Sequence, residues 1–411
     1  MSESRKPVSD VYDAVVDLGS SAELGPYAYL LVKFTYDVSG GSCVLTAPEP
    51  LRHDIRDENL QPRLKAGTDF WVDKIMTDVV VRGSAFALSG IPTTEMNVSV
   101  QVGSFVKRIS VFGRRKIIWD KHGKPRIEDP EPFLEMPLTY ENAYGGIDWR
   151  VPVENADSLE MQVILQTDHP GMYPRNPFGK GYLVVDGEVP EMEMPNLEDP
   201  EDLLTEERII TKKPELWYKQ PLPWCFDWVH PYTFPRYIYF YELVDAWFPG
   251  PEDENMPEVK RGFLPPGYRS VMKGRGFDEG PHPMFYQEAS YGMSFAHLNP
   301  GEKISISGMN QEKEVVSFNL PSEKPLLEIE IEGNREAVEP KLTSVECFPG
   351  EEKVSLVYVA IRELHRLFVP GIHKHIPVKG FVDGGMAIEY EAPPTMKEKL
   401  DHAKEEHEKN A

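Results

Sequence analysis

The chain has 411 residues, of which 40% are hydrophobic and 27% charged, enough for two or three domains with real cores; this composition excludes a disordered chain. Lys and Arg total 44 against 67 Asp and Glu, and the net charge of -23 opposes binding to nucleic acid or anionic membranes. Three cysteines, Cys43, Cys225 and Cys347, lie far apart, which argues against a disulfide framework or thiolate metal site and for reduced thiols in a cytosolic protein.

The N-terminus leads into no apolar signal-like stretch, and no apolar run approaches the roughly 18 residues of a membrane span, so no membrane insertion is expected. Tyr27 to Val38 has the β-branched and aromatic content of a strand. Asn97 to Phe112 reads as a hairpin, with Val98, Val100 and Val102 on one face and a turn at Gly103-Ser104. Glu135 to Gly146 and Asn176 to Tyr182 combine paired and spaced glycines, prolines and aromatics. Such residues fix a backbone path. A phosphate loop needs a helix after its glycines, whereas Tyr-Leu-Val-Val and Ile-Asp-Trp follow here, so turns are the better reading.

Glu188 to Glu207 is acidic and punctuated by proline, which predicts a surface linker or arm. The 38 prolines cluster at positions 130 and 132, 221 and 223, and 265 and 266, marking long ordered loops. From Lys303 onward, alternation is clean. It predicts strands at Lys303 to Met309, Val316 to Leu320, Leu327 to Ile331 and Lys353 to Ile361. The expected fold is mainly β, with two β-sandwich or barrel-like domains at 1–290 and 291–394, joined by long Pro/Gly-rich loops with few helices. The boundary is placed near residues 285 to 300. A short charged helical tail, 395–411, opens on a capping box of Thr395 and Glu398.

Three residue sets invite chemistry. His373 and His375, with His365 and Glu363, could be assembled into a metal site on paper, but nothing fixes a closed ligand shell, and solvated histidines are the simpler reading. Asp73 and Asp78 could pair as acid and base, yet their spacing puts them on opposite faces of a strand, and Lys74 and Arg82 offer ion-pair partners. The aromatic block from Trp224 through Trp247 fits core packing, a sugar platform or a protein-binding patch. Its candidate partner-binding members are Trp224, Trp228, Tyr232 and Trp247. No convincing catalytic set emerges.

Several segments, in order, resemble a known family. They are Tyr29 to Tyr36, Lys74 to Gly83 with Asp78, Gly103 with Lys107 and then Gly113 to Arg115, Pro137 to Gly146 with Tyr140, Tyr144 and Gly145, Asn176-Pro177-Phe178-Gly179-Lys180-Gly181, and Met194-Pro195-Asn196. Together they resemble the domain of unknown function 2169 family, associated with bacterial type VI secretion. Arg114-Arg115-Lys116 departs from the family, which often carries an acidic residue there. The resemblance implies a cytoplasmic bacterial adaptor or chaperone that binds an effector, a PAAR-like spike-tip protein, or both, and helps load the spike. It implies no enzymatic activity, cofactor, metal or catalytic residue, and leaves these residues as structural signature positions. The acidic surface suits a basic cargo. The alternatives are a carbohydrate-binding or carbohydrate-active β-sandwich and a structural component of a contractile injection particle. The oligomeric state is not encoded in any of these features.

Overall fold

The longest strand forms where apolar residues run almost without interruption. Gly25–Asp37 is buried on both faces over nine consecutive residues. Leu30, Val32 and Phe34 enter the main core, while Tyr27, Tyr29 and Leu31 pack on the opposite face against Leu51, Val72, Val357 and Val359. The structure, a computed structural model, describes residues 8–21, 24–52, 67–152, 171–185, 192–212, 219–229, 286–364 and 376–390, with single positions 169, 187 and 217.

The protein is mainly β, with several sheets. The central seven-stranded sheet runs Tyr12–Ser21, Gly25–Asp37, Lys353–Glu363, Lys341–Phe348, Thr77–Val81 and Ser294–Phe295, with Val44–Leu45 pairing the end of Gly25–Asp37. All its pairings are antiparallel except that of Thr77–Val81 with Lys341–Phe348. A five-stranded antiparallel sheet runs Leu197–Glu198, Phe105–Phe112, Glu95–Val102, Lys303–Ser307 and Val315–Asn319. A four-stranded sheet contains Asn334–Val338, Leu327–Ile331, Val378–Val382 and Ile388–Glu389. Residues of all three sheets share the main core. Short helical turns lie at Leu88–Gly90, Tyr140–Asn142 and Glu206–Arg208.

The expected hairpin is present, with Val102 opposite Phe105 across Gly103-Ser104. The C-terminal strands also form where alternation predicts them. The boundary near 285 to 300 is not a break in pairing. Lys341–Phe348 bonds Thr77–Val81 and Lys303–Ser307 bonds Glu95–Val102, so strands from both sides of residue 290 share two sheets. Period-two patterning reports which face of a strand is buried, not which strand lies beside it. The expected surface arm is also corrected over its described part. Leu197–Glu198 is the edge strand of the five-stranded sheet, and Met194, Asn196, Leu197 and Glu198 are buried. The helical tail at 395–411 lies outside the described residues.

Gly380 sets how closely the four-stranded sheet approaches the central one. A Cβ there would lie 2.5 Å from Val16 Cγ2 and 2.8 Å from Leu30 Cδ1. Gly380→Ala should overpack this join and cost about 1–3 kcal/mol in a denaturant titration.

Candidate functional site

One face of the central sheet carries charge where a core is expected. Register aligns Asp13, Lys33, Val357, Ser344, Asp78 and Ser294 in one row across the strands. Thr35, Ser355, Glu346 and Val80 form the next row. Registered partners point to the same face, so the stripe follows from pairing alone.

Loops close over this stripe and satisfy it. Lys33 Nζ lies 2.9 Å from Asp69 and 3.7 Å from Glu346. Arg52 bonds Glu346 and lies 3.4 Å from Asp69. Arg82 reaches Glu346 at 3.3 Å and Asp227 at 3.5 Å. Lys74 contacts Asp78 at 2.8 Å, Glu288 at 3.2 Å and the Ser344 hydroxyl at 3.2 Å. Asp78 also accepts bonds from Gln287 Nε2, the Glu288 N–H and the Ser294 hydroxyl. Burial opposes the charge on Asp69, but Lys33 and Arg52 outweigh it and hold its carboxyl well below the usual range. Burial likewise opposes the charge on Lys74, yet Asp78 and Glu288 raise its pKa. An ammonium so held is no nucleophile. Asp73 accepts a bond from the Tyr27 hydroxyl and is not among the groups around Asp78.

The glycine-bearing segments form a second assembly. Tyr144–Gly145 pairs in parallel with Lys180–Gly181. Asn176 Nδ2 donates to the carbonyls of Tyr140 and Tyr144, and the Gly146 N–H donates to the Asn176 carbonyl. Gly145 has φ +153, and a Cβ on it would lie 2.1 Å from the Asn176 carbonyl oxygen. Only glycine allows this crossing. Tyr144, Tyr173 and Tyr182 pack together in edge-on and tilted contacts, with centroids 5.1 to 6.2 Å apart.

Neighbouring signature positions lock onto the same assembly. The Asn196 N–H donates to the Asn142 carbonyl, and Asn196 Nδ2 donates to the carbonyls of Phe112 and Gly113. Arg115 pairs with buried Glu198 and donates to the Pro195 carbonyl. Burial raises the Glu198 pKa and lowers that of Arg115, each against the pull of the other. Pro137 pairs with Ser84, and Leu138 N–H bonds the Gly83 carbonyl. Pro177 is half-buried, and Gly179 is so close to Asn176 Nδ2 that a Cβ there would lie 2.4 Å away.

Lys107 stands apart, beneath the five-stranded sheet's edge. Its ammonium donates to the carbonyls of Cys225 and Tyr291 and to the Ser290 hydroxyl, 4.3 Å from the Trp224 ring centre. Burial pulls its pKa down to about 7. Three oxygens match three ammonium hydrogens, so the side chain is fully engaged.

Trp224 is half-buried beside this lysine, whereas Trp228 lies in the main core against Gly67 and is no surface contact. A position between two packed layers buries a large ring as readily as an aliphatic one. Tyr232, Trp247, His365, His373 and His375 lie outside the described residues. Sequence reasoning missed Arg52, Asp69, Glu288 and Glu346. The available signal was a charge inside an apolar strand, as at Glu346 beside Val345 and Cys347. Among the described residues, no cluster of His, Cys, Asp and Glu could hold a metal, and no helix is long and apolar enough to cross a membrane.

A family model described as an uncharacterized protein conserved in bacteria (DUF2169) matches residues 24–359. No curated protein and no solved structure matches.

Two outcomes test this reading of the site. Burial pushes the Asp227 carboxyl up to about 6, against the pull of Arg82. Its folded value exceeds the unfolded one, so ionisation opposes folding: the penalty is absent below about pH 4 and complete above about pH 6. Asp227→Asn should therefore gain about 1–3 kcal/mol at about pH 7.5 and nothing near pH 4, read from denaturant titrations at both. Gly145→Ala should cost about 3 kcal/mol or more, because the blocking atom is backbone, and should show as a lowered thermal midpoint.

Proposed function

We propose that this chain, which belongs to the DUF2169 family, is a non-enzymatic cytoplasmic adaptor of a bacterial type VI secretion system. It holds an effector, or the PAAR-like protein that carries it, before loading onto the spike. The association with secretion comes from the family resemblance of its segments. The structural observation supporting a docking role is an exposed apolar corner at the entrance to the signature region.

That corner follows from local chemistry. Ser84–Phe86 pairs with Glu135–Pro137, and the Ala87 N–H donates to the Leu134 carbonyl. The chain then turns at Ser89 and Gly90, both with positive φ. The turn projects Leu88 and Ile91, which are 57% and 68% exposed, next to Leu134 at 52%. Grouped aliphatic side chains held in water by a constrained turn suit burial against a partner. The charged side chains of the buried stripe are meanwhile committed to internal ion pairs, as a scaffold requires. The charge of -23 would speed capture of a basic cargo and weaken that capture with salt.

Affinity capture from the native bacterium should recover an effector or PAAR-like protein. A Leu88→Glu/Ile91→Glu variant should keep its thermal midpoint, because both side chains already face water, and should lose most of that recovery. Recovery of no secretion-spike or effector protein by the unaltered chain would refute the adaptor reading.

A further inference from the structure

The five-stranded sheet has an edge that is only half used. Phe105–Phe112 pairs with Glu95–Val102 along its whole length, but on its other side, among the described residues, only Ser110 and Val111 find strand partners, in Leu197–Glu198. Beyond Glu198 the chain turns away, with the Asp202 N–H bonded to the Asp199 carbonyl, and Pro200 has no N–H to continue the ladder. The remaining edge, Phe105 to Ile109, has no described strand beside it.

Register shows which backbone groups face outward. Val102 and Phe105 close a two-residue turn, so Lys107 and Ile109 bond inward, and Val106 and Arg108 point to the edge. Two contacts agree: the Trp224 indole donates to the Arg108 carbonyl at 2.6 Å, and the Phe112 N–H donates to the Asn196 carbonyl at 2.8 Å. The indole supplies a donor where a neighbouring strand would. The N–H and C=O of Val106 and the N–H of Arg108 face a groove of about 380 Å³. Phe105 and Trp224 provide its apolar wall, and Asp199 and Glu201 line the side opposite the strand.

The charges in the groove are unequal in availability. Lys107 spends its ammonium on three protein oxygens, and Arg108 lies on the exposed face of the strand. Among the described residues, Asp199 has no cation in bonding range; burial and the carboxylates of Glu201 and Asp202 raise its pKa, against the bond from the Glu201 N–H and the more distant pull of Lys107. A basic side chain placed there would relieve that repulsion.

We propose that this open edge accepts an extended, basic segment of a partner protein as an added strand. The segment's lysine or arginine side chains lie against Asp199 and Glu201, and its apolar side chains lie against Phe105 and Trp224. Main-chain bonds to Val106 and Arg108 supply affinity, and the two carboxylates supply selectivity. The proposal takes only the existence of a protein partner from the adaptor reading. It adds a second contact, at this edge and apart from the Leu88 corner, and the conformation in which the partner is held there.

The probe is a fluorescein-labelled Lys-Val-Lys-Val-Lys-Val peptide titrated into the full chain and followed by anisotropy. Methylating alternate backbone nitrogens of the probe should weaken binding by about tenfold for each edge bond lost. Val106→Pro should weaken it similarly, because the Val106 N–H takes no part in the ladder with Glu95–Val102 and proline is tolerated at sheet edges. Its thermal midpoint reports whether it folds, and the methylated probe decides the matter if it does not. Asp199→Asn with Glu201→Gln should lower both the affinity and its salt dependence. The proposal is overturned by absence of saturable binding, by equal binding of the methylated probe, or by self-association of the chain that Val106→Pro abolishes. Equal recovery of secretion cargo by the unaltered chain and a folded Val106→Pro variant would remove this edge as the docking site and leave the adaptor reading standing.

Discussion

The buried charged stripe on the central sheet is the constraint on which the rest of the architecture depends. A charge removed from water costs several kcal/mol unless partners replace its hydration. Lys33 and Glu346 sit at the centre of a sheet, so their partners must come from elsewhere in the chain. Asp69 and Arg52 arrive from the loops after Gly25–Asp37, Asp227 comes by way of Arg82, and Gln287 and Glu288 come from far along the sequence. Segments with little regular secondary structure are thereby assigned one location each. Burying such pairs adds little net stability, but leaving any one unpaired is expensive, so the stripe selects one arrangement of loops over others.

The glycine-bearing assembly solves a different problem. It brings backbone against backbone where side chains would prevent contact, and it replaces long strands with single pairings and side-chain amides. Asn176 and Asn196 act as substitutes for ladder neighbours, each donating to two carbonyls that lack strand partners. The cluster of Tyr144, Tyr173 and Tyr182 gives this irregular region a core of its own, separate from that of the three large sheets. Charge pairs and close backbone packing together account for a fold with many loops and, among the described residues, almost no helix.

Both solutions leave the sheet margins, and these differ in how their backbone groups are satisfied. The outer edge of Tyr12–Ser21 is closed locally, since the Ser9 hydroxyl bonds the Tyr12 N–H and carbonyl, and the Asp13 and Asp17 carboxylates accept from the Ala14 and Leu18 N–H groups. Asn334–Val338 carries charged side chains along its edge, with Arg335 bound to Glu328. These are ordinary defences against unwanted pairing. Among the described residues, the edge at Val106 has only the Trp224 indole.

Much of the strand content was legible in the chain itself. Alternation at Ile304, Val316 and Leu327 and the run from Tyr27 report burial directly, because side-chain direction repeats every two residues. The turn at Gly103 was also legible, because glycine announces a backbone that other residues avoid, whereas Tyr144–Gly145 and Lys180–Gly181, expected as turns, pair as short parallel strands. Partnership was not. Nothing local to Lys33 specifies Asp69, and nothing in the acidic, proline-marked stretch around Leu197 announces an edge strand with a buried glutamate. Strand identity and turn position are short-range properties that the sequence determined by itself. Sheet order, the pairing of buried charges and the choice of which edge stays open required tertiary structure, because each joins residues far apart in sequence whose contact costs chain entropy that no local pattern records.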